Sequence, residues 1–166
     1  MDVPGNDIIE IKDSTVITKI LNESFLTVAN EFGYTMENAP RFGAFIKEDV
    51  IEKDFQYGTK IFGFQMDNIT VACAGFSKNR NGIYEIKRLA VMPDYRHLGI
   101  GKKLLLHNEN EIKTAGEKIV EVHIVDSNEL LKEWYKNNGY KEIKVEEIKC
   151  MPFKSCIMQK ELWDAE

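Results

Sequence analysis

Cysteine is scarce. The chain has three in 166 residues, Cys73, Cys150 and Cys156. An odd set with no C-x-x-C spacing excludes a disulfide framework and a cysteine-ligated zinc or redox motif, so the three read as reduced, structural thiols. With only four prolines and no compositionally biased tract, neither a proline-rich linker nor a low-complexity segment is present. No apolar run approaches the roughly 18 residues of a membrane span. Met1 to Asp7 carries neither a basic n-region nor an apolar h-region, and a soluble cytoplasmic protein is the expectation. Basic residues number 22 against 27 acidic ones, a net charge of −5, without a basic stripe interleaved with aromatics. That balance argues against nucleic acid or an anionic membrane as the main partner. The histidines, His97, His107 and His123, have no companion ligand at a sensible spacing, so no metal is expected. His97 falls inside a loop where its backbone matters more than its ring, His107 is placed on an exposed helical face, and His123 falls mid-strand.

What is present is an ordinary globular composition, 43% hydrophobic and 30% charged. The length suits one domain over residues 1–166, able to bury about two-thirds of its unfolded surface. The stretch from Ile83 to Ala115 organises the rest. Ile83 to Met92 has the β-branched and aromatic content of a strand, and Pro93 ends it because proline cannot donate to a sheet ladder. Gly99 and Gly101 lack a Cβ, so a ligand can approach their N–H groups closely. The helix that opens beside them adds unpaired donors and the positive end of its dipole, which together make a backbone anion site. Arg96 and Lys102 flank it with positive charge, suited to a polyphosphate. A dinucleotide fingerprint would need glycine in place of Leu104. A Walker loop would need glycine in place of Arg96 and Ser or Thr in place of Lys103.

Before this stretch, Ile8 to Lys12 alternates as a short strand. Asp13 or Ser14 then caps a helix to about Phe32, with Val16, Ile17, Ile20, Leu21, Ser24, Phe25 and Val28 on its apolar face and Gly33 as its stop. Tyr34 to Gly58 is aromatic-rich and contains a second helical pattern over Lys47 to Tyr57; most of its rings read as core. Thr59 to Met66 and Ile69 to Ser77 form a hairpin across Asp67-Asn68. After it, the helix that follows the glycine loop sets Gly101, Leu105, Asn108, Ile112 and Ala115 on one face and ends at Gly116. Lys118 to Val125 is a strand completing a parallel βαβ unit. A short helix then runs to Asn138, with Asp126 and Glu129 as its capping box. Strands at about Tyr140 to Ile148 and Ser155 to Leu162 close the chain. The fold class expected is α/β: a mixed, mostly antiparallel sheet of about seven strands with about four helices.

The pattern Arg96-x-x-Gly99-x-Gly101, after a strand and opening a helix, resembles the acetyl-CoA site of the GNAT acyltransferase superfamily. The order of elements agrees with that superfamily over nearly the whole chain. Tyr135-x-x-x-Gly139-Tyr140 is similar to the family's pattern after its last helix, Asn128 sits where the family places an Asn, and Ile157 to Leu162 looks like its closing strand. The resemblance implies acetyl-CoA as cofactor and a primary amine as acceptor. It places the CoA pyrophosphate on the backbone of Arg96, His97, Leu98, Gly99, Ile100, Gly101 and Lys102. It places the pantetheine arm on Leu89, Ala90, Val91 and Asn128, and a catalytic Tyr135 hydroxyl at the CoA sulfur.

Chemically, an amine attacks a thioester only when neutral, yet a lysine-like amine with a pKa of ~10.4 is protonated at pH 7. Glu85 precedes Arg96 by the interval of the catalytic glutamate in the family's Gcn5-type branch, which makes it the candidate base. An ion pair with Lys87 or Arg88, or a water chain in its place, is the alternative. Tyr135 is the candidate acid, with a core position as its alternative. An inactive acyl-CoA-binding sensor stays open as a second function, and the acceptor is a small amine or a protein amine. The resemblance leaves a homodimer open, with Ser155 to Leu162 as its candidate exposed edge.

Overall fold

The computed structural model describes residues 7–163; the reading of the N-terminal residues before Asp7 lies outside the described residues. The chain runs β1 (Asp7–Glu10), α1 (Ser14–Phe32), α2 (Glu48–Gln56), β2 (Lys60–Met66), β3 (Ile69–Lys78), β4 (Tyr84–Val91), a 3-10 turn at Pro93–Tyr95, α3 (Ile100–Thr114), β5 (Ile119–Val125), α4 (Glu129–Asn137), β6 (Lys141–Glu147) and β7 (Lys154–Glu161). The strands form one seven-stranded mixed sheet in the order β1-β2-β3-β4-β5-β7-β6. Only β4 and β5 pair in parallel among the described strands.

Local chemistry accounts for most of the boundaries. Asp13 caps α1, its Oδ1 accepting from the N–H groups of Thr15 and Val16 at 2.9 and 3.3 Å, and Gly33 ends it in the left-handed region at φ 74°. The hairpin between β2 and β3 turns on Asp67 and Asn68, both at positive φ (50° and 66°). That conformation matches the right-handed twist of the flanking strands, and Asp and Asn tolerate it.

Three of the expectations fail, each for a physical reason. Asp126 does not cap α4. Asn128 does, accepting from Leu131 N–H at 3.2 Å, while Asp126 is held by Lys132 at 2.8 Å. The closing strand is not an edge: β7 inserts between β5 and β6 and pairs with both, which leaves β6 outermost with every residue exposed. Edge status depends on which strand the chain returns beside, and no local pattern encodes that. Ala115 is an exposed C-cap, because the buried face of α3 ends at Ile112.

The sheet separates two cores. Val120, Val122 and Ile124 of β5 and Ile86 of β4 pack with Leu104, Leu105 and Ile112 of α3 and with Tyr135 of α4. On the opposite face, Cys73 and Ala90 pack with Ile17, Ile20, Leu21 and Ile51 of α1 and α2. A third cluster joins Ala29, Ala39 and Phe42 to Tyr34, Phe153 and Val125, so most of the aromatic segment is core, while Tyr57 is 83% exposed.

Between those faces β4 carries a bulge. Cys73 pairs with Ala90 and Gly75 with Lys87, so Arg88 and Leu89 together oppose the single residue Ala74. Arg88 takes φ 59°. The extra residue reverses the in-and-out phase of the strand: Ile86 faces α3, but so do Leu89 and Val91, while Ala90 faces α1. Asp54 of α2 holds the bulge, accepting from Arg88 Nε at 2.8 Å and Nη2 at 3.3 Å with Lys87 Nζ at 4.0 Å. The Arg88 carbonyl accepts from the Cys73 thiol at 3.3 Å. Asp54→Ala is expected to cost about 2 kcal/mol in a urea titration, less than the ~3–5 kcal/mol for breaking a fully buried pair, because Arg88 keeps some contact with water.

Candidate active site

Parallel pairing of β4 with β5 covers Tyr84 opposite Val120 and Glu85 opposite Glu121 and then stops. From Ile86 onward no β4 residue has a partner on β5, and β5 continues on β7 alone. A strand edge in the middle of a sheet therefore carries backbone donors and acceptors with no neighbouring strand, the condition under which an extended ligand can take the neighbour's place. Leu89, Ala90 and Val91 lie along this edge. Leu89 and Val91 are half-buried against the α3 core, and Ala90 is buried on the other face.

The edge runs into the glycine loop. His97 and Gly99 both have positive φ, 65° and 79°. A Cβ built on Gly99 would meet nothing within 4 Å, so the backbone faces open space. On Gly101 a Cβ would sit 3.6 Å from Val91 Cγ2 and 3.7 Å from Trp134, between the end of β4 and α4. No side chain caps α3, Ile100 anchors its first turn in the core, and Leu98 and Lys102 stay exposed. First-turn N–H groups and the dipole thus face one open spot, with Lys102 exposed in the same turn.

Arg96 plays a different part from a flanking charge. Its Nη2 donates to Ser24 O at 2.6 Å, Nη1 to Thr27 Oγ1 at 3.0 Å and Nε to Val91 O at 3.3 Å. The guanidinium latches the loop to α1, and partial burial lowers its pKa. Because α1 lies 69 and 72 residues away, the motif could not show this.

Glu85 and Tyr135 lie on opposite faces of the sheet, so a ligand meeting both must thread the gap between β4 and β5. Tyr135 is buried beside Trp134 and Tyr140, with ring centroids at 4.9 and 5.3 Å. Burial and the Glu109 carboxylate raise its pKa, which keeps the phenol protonated. Its hydroxyl makes no hydrogen bond among the described residues. The helix that carries it is fixed from below: Lys132, buried, holds Asp126 at 2.8 Å and Glu142 at 3.0 Å. Asn128 uses its carbonyl oxygen as the α4 cap, which leaves its amide N–H groups free to donate.

Glu85 has no ion pair with Lys87 or Arg88, since both turn to Asp54. It meets His123 instead, Oε1 lying 3.8 Å from Nδ1. His123 Nε2 is 2.8 Å from Glu121 Oε1, and Glu121 also accepts from Asn79 Nδ2 at 2.7 Å and Gln159 Nε2 at 3.0 Å. Burial raises the Glu85 pKa against the lowering influence of His123 and Lys87. His123 is thus more than a mid-strand residue. Alternation places Glu121 and His123 on one face, but only the β4–β5 register brings Glu85 to them. His107 is likewise not on a free face: its ring packs edge-on against Phe62 at 4.4 Å.

Glu85, Glu121 and His123 gather ligand atoms within 4.8 Å, as do Asp126, Glu142 and Cys156. In the first group Glu121 is already committed to three donors, and in the second Lys132 bridges both carboxylates while Lys136 pairs with Glu142 as well, so each reads as a hydrogen-bonded network. Cys150 is exposed. Cys156 is buried with Sγ 3.5 Å from Glu142 Oε1, and burial pushes its thiol up to about 11, away from nucleophilic use.

Comparison with known proteins agrees with this architecture. Residues 31–162 match the family model described as an acetyltransferase (GNAT) domain. The fold is similar to that of the ribosomal-protein-S18-alanine N-acetyltransferase from Escherichia coli, at 18% identity over 97% of this chain and 96% of that one, with a TM-score of 0.71. It is also similar to the PaiA N-acetyltransferase from Thermoplasma acidophilum in complex with coenzyme A, at 19% identity over 94% and 98% with a TM-score of 0.70. The putative acetyltransferase YncA from Salmonella typhimurium, solved with its cofactor acetyl-CoA, matches at 18% over 97% and 96% with a TM-score of 0.72.

Two outcomes test this geometry. Arg96→Ala is expected to speed amide exchange over residues 97–101 and to lower stability by about 1–2 kcal/mol, as three hydrogen bonds from one charged group are lost. Glu85 has a folded-state pKa above its ordinary value of 4.5. Its ionisation therefore opposes folding, with no cost below pH 4.5 and a cost that grows as pH rises through the folded-state pKa. Glu85→Gln should raise Tm at pH 7, and the gain should vanish at pH 4.

Proposed function

The chain belongs to the GNAT acetyltransferase family, and on that premise we propose that this N-acetyltransferase moves an acetyl group from acetyl-CoA to a primary amine by direct attack within a ternary complex. The observation that carries the reading is the unpaired β4 edge leading into an uncapped helix terminus. A pantetheine arm is an extended chain with amide groups, and it fits an edge that offers backbone partners. A pyrophosphate fits the open ground before Gly99, where a side chain would intrude, beside the first turn that Gly101 sets between Val91 and Trp134.

In this reading Leu89, Ala90 and Val91 bond the arm through their backbone, and Asn128 donates its free amide N–H to it. The backbone of Arg96, His97, Leu98, Gly99, Ile100, Gly101 and Lys102 holds the pyrophosphate, with the Arg96 side chain keeping the loop in place. Acetyl-CoA supplies an acyl group on a thiolate leaving group. Tyr135, kept protonated by burial, donates to the departing sulfur. Glu85 draws a proton from the acceptor amine on the other face. The carboxylates there and the net charge of −5 suit a cationic acceptor, whether a small amine or a protein amine.

Titration calorimetry with acetyl-CoA tests the site. The parent should bind at micromolar Kd, while Gly99→Trp and Gly101→Trp should lose at least tenfold with folding intact by circular dichroism. Equal binding by both variants would put the ligand elsewhere, and no binding by the folded parent would end the reading. Binding without thiol release on any amine of a broad panel would leave a binding module in place of an enzyme.

A further inference from the structure

On the face of the sheet away from α3, the β4–β5 junction holds an imidazole between two carboxylates. Resting on the acetyl-transfer reading above but moving its base from Glu85 to the neighbouring imidazole, we propose that His123 takes the proton from the attacking amine, with Glu121 as the positioning residue that sets its tautomer and Glu85 as the carboxylate facing the imidazolium.

The hydrogen bonds dictate the tautomer. Glu121 has a side chain only 6% exposed, and its oxygens already accept from Asn79 and Gln159. An acceptor so placed orients His123 Nε2 as the donor at 2.8 Å, which leaves the lone pair of the neutral ring on Nδ1. Nδ1 has no hydrogen-bond partner among the described residues. Glu85 Oε1, at 3.8 Å, is beyond bonding distance but close enough to stabilise a positive ring. About a third of the His123 side chain is exposed, so an acceptor can reach it.

Position along the strand supports the same role. Glu121 is the last β5 residue paired to β4, and His123 is the next residue on that face, at the mouth of the gap. Val125, two residues further on, is under the cluster of Phe42 and Phe153, which closes that end. An imidazole, with an ordinary pKa of ~6.5, is also better matched to neutral pH than a carboxylate.

The charged groups facing the ring come from three strands. Lys87 and Glu85 lie on β4, Glu121 on β5, and Glu146 on β6, where it is paired with Lys144 at 2.6 Å and feels the His123 charge. From β7 the facing group is the uncharged Gln159. Lys87 leans to Asp54 at 4.0 Å, so the carboxylates of Glu85 and Glu121 are the charged groups nearest the ring.

The protons balance. The ammonium gives one proton to Nδ1, and its nitrogen pair then forms the C–N bond as the C–S bond breaks. The sulfur takes a proton from Tyr135, which regains one from the second N–H lost by the nitrogen. The proton on His123 returns to water.

The first test needs no turnover. In long-range 15N–1H spectra of histidine-labelled protein, with His123 assigned by its absence in His123→Gln, Nε2 should carry the proton and Nδ1 should be bare. Glu121→Gln should mix the tautomers. An Nδ1–H ring, or a spectrum unchanged by Glu121→Gln, overturns the proposal even if no probe amine is turned over.

The second test is thiol release from acetyl-CoA with spermidine as the probe amine. His123→Gln should lower kcat by about 10²–10³-fold, abolish the acid limb of kcat/KM and leave the calorimetric Kd for acetyl-CoA unchanged, and free imidazole should partly restore His123→Ala. Activity within threefold of the parent with the acid limb intact overturns the proposal alone. A parent that does not bind acetyl-CoA overturns the transfer reading itself.

Discussion

Two residue pairs join β4 to β5, and the remainder of the site depends on that contact ending where it does. Had the parallel ladder continued past Glu85 and Glu121, the backbone of Leu89 to Val91 would be spent on β5. The sheet would then be closed, with no passage between its faces. The bulge at Arg88 enforces the separation by adding a residue on β4 that β3 cannot match. Its cost is a non-glycine residue at positive φ, of order 1–3 kcal/mol. The Asp54 fork on the guanidinium and the Cys73 thiol on the carbonyl offset that strain.

Around the gap, the glycine loop, α4 and the core beside Tyr135 are each secured by a charged group. Arg96 ties the glycine loop to α1, and Lys132 ties α4 to the start of β6. Glu109 accepts from Tyr140 and Lys160, both at 2.8 Å, beneath the Tyr135 ring. Buried or half-buried charges in such pairs add less to net stability than their distances suggest, because desolvation opposes the Coulomb gain. What they contribute is geometry, held to the tolerance that catalysis needs.

Legibility in the sequence followed the range of each interaction. The Asp13 and Gly33 caps, the Asp67-Asn68 turn and the apolar period of α1 are local, and the structure has them where the residues place them. The α4 cap lies at Asn128, two residues past the expected Asp126, because both residues are competent caps. Lys132 draws Asp126 away, and no local rule decides between the two. Arg96 is a conspicuous charge in an anion loop, yet its guanidinium points at carbonyl and hydroxyl oxygens of a helix some 70 residues earlier. His123 looked like an ordinary strand residue, since neither Glu85 nor Asn79 is near it in the chain.

The sequence by itself determined the element types and order, the mixed α/β class and the glycine loop after a strand. Hydrophobic period, caps and turn chemistry act over a few residues, so they can be read from neighbours. Only the tertiary structure decided that β7 lies inside the sheet and β6 at its edge, that β4 and β5 part after two pairs, and that Glu85, His123 and Glu121 meet. Those outcomes depend on which strand settles beside which, and strand partners are chosen by packing between residues far apart in the chain.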